Sequence, residues 1–232
     1  MDSSVKKKRA RGKLSREMIE DAAFVVIERE GLSGFSMRKL AAALGCEAMS
    51  IYHHFPSQAH LYEALVDRLF SSLEMPDPKL PWRQRMRIAV LDYRRIGREH
   101  PAFAAYFLTY RMNSPVCLGY LNGIVGLFND GGFDQETAAR LFRAVGYYLT
   151  GAVLDETLGY AKGPSAVTTV SDEQLVHDFP NVAAAGRFFT TAEFDRTFDL
   201  GLEMLLDEME RIRNADQGKI AKPVGNRAQK AE

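Results

Sequence analysis

Within the segment 36–55, SMRKLAAALGCEAMSIYHHF, polar side chains gather around a single glycine. Ser36, Arg38, Ser50, Tyr52, His53 and His54 are of the kinds that hold phosphates and touch base edges in nucleic acid. Upstream, Lys6, Lys7, Lys8, Arg9, Arg11 and Lys13 stand against Asp2 alone. Such an arm is an electrostatic footprint for phosphate or, equally, a solvated tail. Net charge is zero, but residues 1–60 hold ten Lys and Arg against seven Asp and Glu, and the rest of the chain holds twenty against twenty-three. Catalytic chemistry has no comparable set. There is no Gly-rich phosphate loop, no G-x-S-x-G elbow, no metal-spaced His and Cys, and no carboxylate pair with a role. Cys46 and Cys117 are too far apart for a disulfide framework or a metal motif. Cys46 lacks a nearby resolving cysteine, so an inert thiol competes with an oxidant sensor there.

The elements that must position these residues are helical. Ile19, Ala22, Ala23, Val26 and Ile27 make one helix face, with Ser15 as N-cap and Gly31 as stop. Ser36 caps a second helix with Met37, Leu40, Ala41 and Leu44 as its stripe, and Gly45 ends it. A third short segment runs from Ala48 to His54 and stops before Pro56. This is a helix-turn-helix pattern, whose second helix can lie in a major groove with Ala48, Met49, Ser50 and His53 outward. Ser57 then caps a helix bearing Leu61, Ala64, Leu65 and Leu69. Three prolines in Met75–Pro81 mark a linker. Further helices are expected at about 82–99, 102–112, 116–130 and 134–160, the last capped by Asp134. Residues 162–189 read as a loop with a short helical turn near Glu173–His177. Thr190 and Glu193 form a capping box for a closing helix over 191–213.

The fold class is therefore all-α: a basic arm (1–13), a helix-turn-helix head (14–58), a larger helical body (59–213) and a disordered tail (214–232). The chain has 232 residues, 46% hydrophobic and 26% charged, as in ordinary globular proteins. No apolar run reaches the roughly 18 residues of a membrane span. The basic N-terminus lacks the apolar core of a secretory signal, and the cysteine usage suits a reducing cytoplasm.

Four blocks of the sequence resemble the tetracycline-repressor (TetR) family of bacterial transcription regulators: EREGLSGFSMRKLAAALG, AMSIYHHFPSQAHLYEAL, GGFDQETAARLFRAVGYYLTGAVLDE and FDLGLEMLLDEMERIR. The first two match the family's DNA-binding signature, and the last two match the subclass that contains the tetracycline repressor. The resemblance implies a homodimeric repressor that binds a palindromic double-stranded operator and is released by a small-molecule effector. It places Arg38 at a base or phosphate, and Ala48, Met49 and Ser50 at the base-reading turn. Tyr52 and His54 match phosphate positions, with His53 beside them. Lys8, Arg9, Arg11 and Lys13 would follow the backbone or enter the minor groove. Two departures weaken single contacts: Gln58 replaces a common Lys, and Glu47 replaces the usual Ser or Thr cap. Tyr52 and His54 also have a bland reading, packing within the head, and Tyr52 a mixed one, with its ring packed and its hydroxyl outward.

The resemblance further implies that helices 134–160 and 191–213 pair with their copies in a four-helix bundle, helped by Gly146, Gly151 and Ala152. The alternative is that both stripes face only their own core. Two heads about 34–36 Å apart would read successive turns of DNA. Tyr93, Tyr106, Phe107, Tyr110, Phe128, Tyr148 and Asp155 are candidates for an effector cavity, although aromatics at helical spacing are also ordinary core. Magnesium-dependent drug binders of the family use histidines that this chain lacks between His60 and His100, so no metal or other cofactor is expected. Three rival readings remain. They are an activator or ligand-free DNA-binding protein, an all-helical carrier or enzyme with a vestigial head, and a membrane-surface protein using the arm. The arm lacks the apolar face the last would need.

Overall fold

The computed structural model describes residues 14–159, 163, 167 and 169–220. Among them there are eleven α-helices and no strand, and no helix is long and apolar enough to cross a membrane.

The head is built by caps and one glycine. Helix α1 (Arg16–Glu30) begins where the Ser15 hydroxyl accepts the Met18 N–H, and it buries Ile19, Ala23, Phe24, Val26 and Ile27. Helix α2 (Met37–Leu44) begins where the Ser36 hydroxyl accepts the Lys39 N–H at 3.2 Å. Its end turns on Gly45 at φ 62°, ψ 36°, a left-handed conformation that a side chain would strain. There the Cys46 N–H reaches the Ala41 carbonyl and the Gly45 N–H that of Ala42, closing the last turn. Helix α3 (Ala48–Tyr52) is shorter than expected, and Glu47 supplies no side-chain cap. Its one buried residue, Ile51, anchors it to Leu40, Ala41 and Phe55 in the head core. Helix α4 (Gln58–Ser71) starts at Ser57, whose hydroxyl accepts the His60 N–H.

After the prolines, the body contains α5 (Trp82–Glu99), α6 (Pro101–Thr109), α7 (Pro115–Asp130) and α8 (Gln135–Leu154), the last capped by Asp134 through the Thr137 N–H. Short helices α9 (Asp172–Asp178) and α10 (Pro180–Ala185) follow, then the long α11 (Phe194–Ile220).

The body core of α5, α7, α8 and α11 holds Trp82, Met86, Phe128, Val145, Leu149, Phe198, Leu202 and Leu206. A second core runs unbroken from the head through Leu61, Leu65 and Phe70 of α4 to Phe103 and Phe107 of α6. The expected boundary at 58/59 thus falls in the first turn of a helix shared by both packing units.

Several boundaries differ from expectation. Helix α6 stops at Thr109, because Tyr110 is extended. Helix α8 gives way at Asp155 to a π-helical turn, Asp155–Gly159. There the Thr157 hydroxyl bonds back to the Val153 carbonyl and Glu156 is drawn into an ion pair with Arg94, both side chains only 6% exposed. The Thr190–Glu193 capping box does not form. The Glu193 N–H bonds to the Thr190 carbonyl in a 3-10 turn, which delays α11 to Phe194. At its other end α11 runs past 213 to Ile220, inside the stretch read as a disordered tail. The 162–189 region carries two short helices where one turn was expected, since Ser171 caps α9 and Pro180 starts α10.

Candidate nucleic-acid interface and effector cavity

On the head, Arg38, Met49, Tyr52 and His53 are exposed, and Ser36, Ala48, Ser50, His54 and Gln58 are half-buried. Arg38 makes no ion pair among the described residues, whereas its neighbour Lys39 is held by Glu30 and by the Gly34 carbonyl, each at 2.8 Å. Ser36 spends its hydroxyl on the α2 cap. Gln58 donates its amide to the Tyr62 hydroxyl at 3.0 Å, within its own helix. Tyr52 is partly covered, 39% exposed beside Met49 at 62%. Lys8, Arg9, Arg11 and Lys13 lie outside the described residues.

A residue not singled out from the sequence helps to position α3. The Arg16 guanidinium donates to the His54 carbonyl at 2.8 Å and lies 4.2 Å over the Phe55 ring. It thereby ties the end of α3 to the start of α1.

In the body, a cavity of about 760 Å³ opens between α5, α7, α8 and the segment after α6. Tyr93, Tyr110 and Phe128 line it as expected, joined by Tyr120, Phe142, Arg111 and Arg143. Tyr106, Phe107, Tyr148 and Asp155 do not. Phe107 is fully buried against Tyr93 and Phe70, at 5.0 and 5.4 Å between ring centres. The Tyr148 hydroxyl donates to the Phe198 carbonyl at 2.6 Å, facing α11 instead of the cavity. Asp155 lies in the π-helical turn, and its side chain is exposed. Periodicity cannot separate a ring facing a cavity from one facing a neighbouring helix.

Tyr106 connects the cavity to the head. It packs on Tyr110 at 5.9 Å, on Phe103 at 5.3 Å and on Tyr62 of α4 at 5.0 Å. Phe103 in turn meets Phe24 of α1 at 5.9 Å. At the start of α6, which has no side-chain cap of its own, Glu28 of α1 accepts the Ala102 N–H at 3.1 Å. His100 stacks 4.4 Å from Phe24. Its burial lowers its pKa, and its Nδ1 has no hydrogen-bond partner. Burial likewise pushes up the Tyr93 and Tyr120 phenols, so both stay neutral donors near neutral pH.

Two family profiles match the chain. "Bacterial regulatory proteins, tetR family" covers residues 19–65, and "Tetracyclin repressor-like, C-terminal domain" covers 75–213. The chain belongs to the TetR family. It is a DNA-binding transcriptional regulator with the family's all-α, two-part layout. An HTH-type transcriptional regulator of Saccharopolyspora erythraea is 26% identical over 88% of each chain. The class A tetracycline repressor of Escherichia coli is 26% identical over 87% of this chain and 93% of its own. The Streptomyces coelicolor TetR family protein ActR, solved in complex with actinorhodin, superposes at a TM-score of 0.68. It is 24% identical and covers 86% of this chain and 96% of its own.

The matched N-terminal profile spans α2 and α3, where Arg38, Met49, Tyr52 and His53 are exposed. The C-terminal profile spans the whole cavity. No group of three or more His, Cys, Asp or Glu gathers as a metal site among the described residues. Burial raises the Cys117 thiol, which is wholly enclosed and bonded near Asp67 and Ser114, an environment that disfavours the reactive thiolate.

Proposed function

We propose that this TetR-family regulator is a homodimeric repressor. It covers a palindromic operator through α2 and α3, and a small molecule in the body cavity releases it. Arg38, Tyr52, His53 and His54 hold backbone or base, and Ala48, Met49 and Ser50 meet base edges. Ser36 and Gln58 have lesser parts, since their polar atoms are engaged within the head. The arm with Lys8, Arg9, Arg11 and Lys13 adds sequence-independent phosphate attraction. The protein acts in the cytoplasm, where its operator lies.

The observation that carries the effector-release reading is the contact between α6 and α1. The α6 helix borders the cavity at one end, is capped by Glu28 of the head at the other, and stacks on Phe24 and Tyr62 between. A ligand that binds better to one placement of α6 therefore also favours one placement of the heads. One with equal affinity for both placements shifts nothing. Two similar proteins support such a role by their names alone, one as a tetracycline repressor and one as a TetR family protein solved in complex with actinorhodin.

Selection from a pool of random duplex DNA at near-physiological salt tests the reading. The expected outcome is one enriched short inverted repeat. Weak, salt-sensitive binding with no enriched repeat removes the operator reading.

A further inference from the structure

The arginines of the body fall into two groups. Most are paired: Arg83 with Glu203, Asp207 and Glu210, Arg87 with Asp199 and Glu203, Arg94 with Glu156 and Asp195, Arg95 with Asp92 and Glu99. Arg111, Arg143, Arg187 and Arg213 make no ion pair among the described residues, and of these Arg111 and Arg143, both exposed, line the cavity. Arg143 is steadied by the Tyr147 ring at 4.8 Å and donates one bond to its hydroxyl at 3.3 Å, which leaves most of its five N–H groups free. Among the described residues no carboxylate lines the cavity. Apart from Thr109 and Thr150, its other walls are aliphatic and aromatic, including Val90, Ile124, Phe128 and Phe142. The hydroxyls of Tyr93 and Tyr120 make no hydrogen bond among the described residues.

We infer that the effector of this cavity is a flat, largely apolar acid. Its ring system lies among Tyr93, Tyr120, Phe128 and Phe142, and its single anionic group is taken by Arg111 and Arg143. This rests on the effector-release reading above and narrows it to one chemical class. An uncharged apolar ligand would leave both guanidiniums to solvent and gain nothing from them, and a cationic one would be repelled by them. An anion gains charge-assisted bonds that a neutral analogue cannot make. The free phenols add neutral donors for a carbonyl or hydroxyl on the ring system. A cavity of about 760 Å³ suits a molecule of drug size. Arg111 also follows α6 by two residues, so the anion engages the end of the helix whose other end Glu28 caps.

The test uses the full-length protein and two matched fluorescent probes. One is 8-anilinonaphthalene-1-sulfonate, and the other is N-phenyl-1-naphthylamine, the same ring system without the acid. Each is titrated against the parent, Arg111→Gln, Arg143→Gln and Arg187→Gln, all first shown to be folded by circular dichroism. Arg187 is a control because it has no carboxylate partner and does not line the cavity. The expected result is one saturable site per chain for both probes. Each cavity substitution should weaken the sulfonate by about tenfold, the worth of one charge-assisted hydrogen bond, while the amine changes less than twofold. Arg187→Gln should change neither. Saturable binding of both probes with the sulfonate indifferent to Arg111 and Arg143 overturns the acid inference and keeps the cavity as an effector site. Absence of a saturable site for either probe overturns the inference together with the effector-release reading.

Discussion

Arg38 and Lys39 are adjacent cations on one short helix with opposite situations. Lys39 is occupied by Glu30 and the Gly34 carbonyl, whereas Arg38 projects from the head unpaired. Arg38→Ala is expected to lower operator affinity by about tenfold or more, as losing one guanidinium contact does, with an unchanged melting midpoint. Fluorescence anisotropy on the selected operator, beside thermal unfolding, measures both. If affinity holds, the contact surface does not include the start of α2. Arg16 acts differently. Its bond to the His54 carbonyl and its place over Phe55 hold α3 against α1. Arg16→Gln should therefore weaken operator binding severalfold and also lower the melting midpoint, by about 2–4 °C if roughly 1 kcal/mol is lost. Arg38 could be singled out from the sequence because its place belongs to a local motif. Arg16 was not, because its partners are 38 and 39 positions away and leave no trace in spacing.

At the scale of elements, the joint between α1 and α6 is held by few groups. Helix α6 begins without a cap of its own, so Glu28 satisfies one of its otherwise unpartnered N–H groups. Glu28→Ala should cost about 1 kcal/mol, as loss of an N-cap does. The melting midpoint of the variant against the parent checks this, and an unchanged midpoint would mean the bond contributes nothing in solution. His100 makes the same joint acid-sensitive. Burial holds its pKa below the ordinary 6.5. The unfolded chain thus takes up the proton first as pH falls. The stability that depends on a neutral His100 is full above about 6.5 and is lost as pH drops through that value toward the folded-state pKa. The melting midpoint should accordingly fall between pH 7.5 and 5.5, and His100→Gln should flatten that fall. An identical slope in the variant would locate the acid sensitivity elsewhere. The helices themselves were largely readable, since Ser15, Ser36, Ser57 and Asp134 all cap as their types suggest. Where α8 was expected to run on to 160, the pull of Arg94 on Glu156 imposes the π-helical turn. No local pattern encodes that long-range pair.

For the whole molecule, the proposed homodimer directs attention to the surface of α8 and α11. Their main apolar stripes are used internally, with Val145, Leu149, Phe198, Leu202 and Leu206 buried in the body core. A second row remains outside: Leu200 and Met204 of α11 are 64% and 65% exposed, and Tyr147 of α8, which also lines the cavity, is 66% exposed. Gly146 and Gly151, where a Cβ would meet open space, line the cavity as well. Apolar groups in that number on two long helices suit a partner surface, and a second copy supplies one by two-fold symmetry. Leu200→Glu combined with Met204→Glu should convert dimers to monomers in sedimentation equilibrium while helicity is retained. Operator affinity should fall with it, since one head alone loses the gain from simultaneous engagement. A variant that stays dimeric places the interface on another face.

By itself the amino-acid sequence determined the all-α class, most of the helices in their order, the turn at Gly45 and the outward placement of Met49 and His53. Each of these depends on neighbours within one or two turns, which caps, glycines and apolar spacing record directly. Only the tertiary structure decided which aromatics face the cavity, that Tyr106 bridges toward the head instead of lining it, and that Arg16 and Glu28 brace the joints. It also decided that Arg111 and Arg143 are the cations left without partners there. Those outcomes depend on which helix faces come together across as many as 74 positions, as between Glu28 and Ala102. An amphipathic stripe states that a face is buried, but not against what.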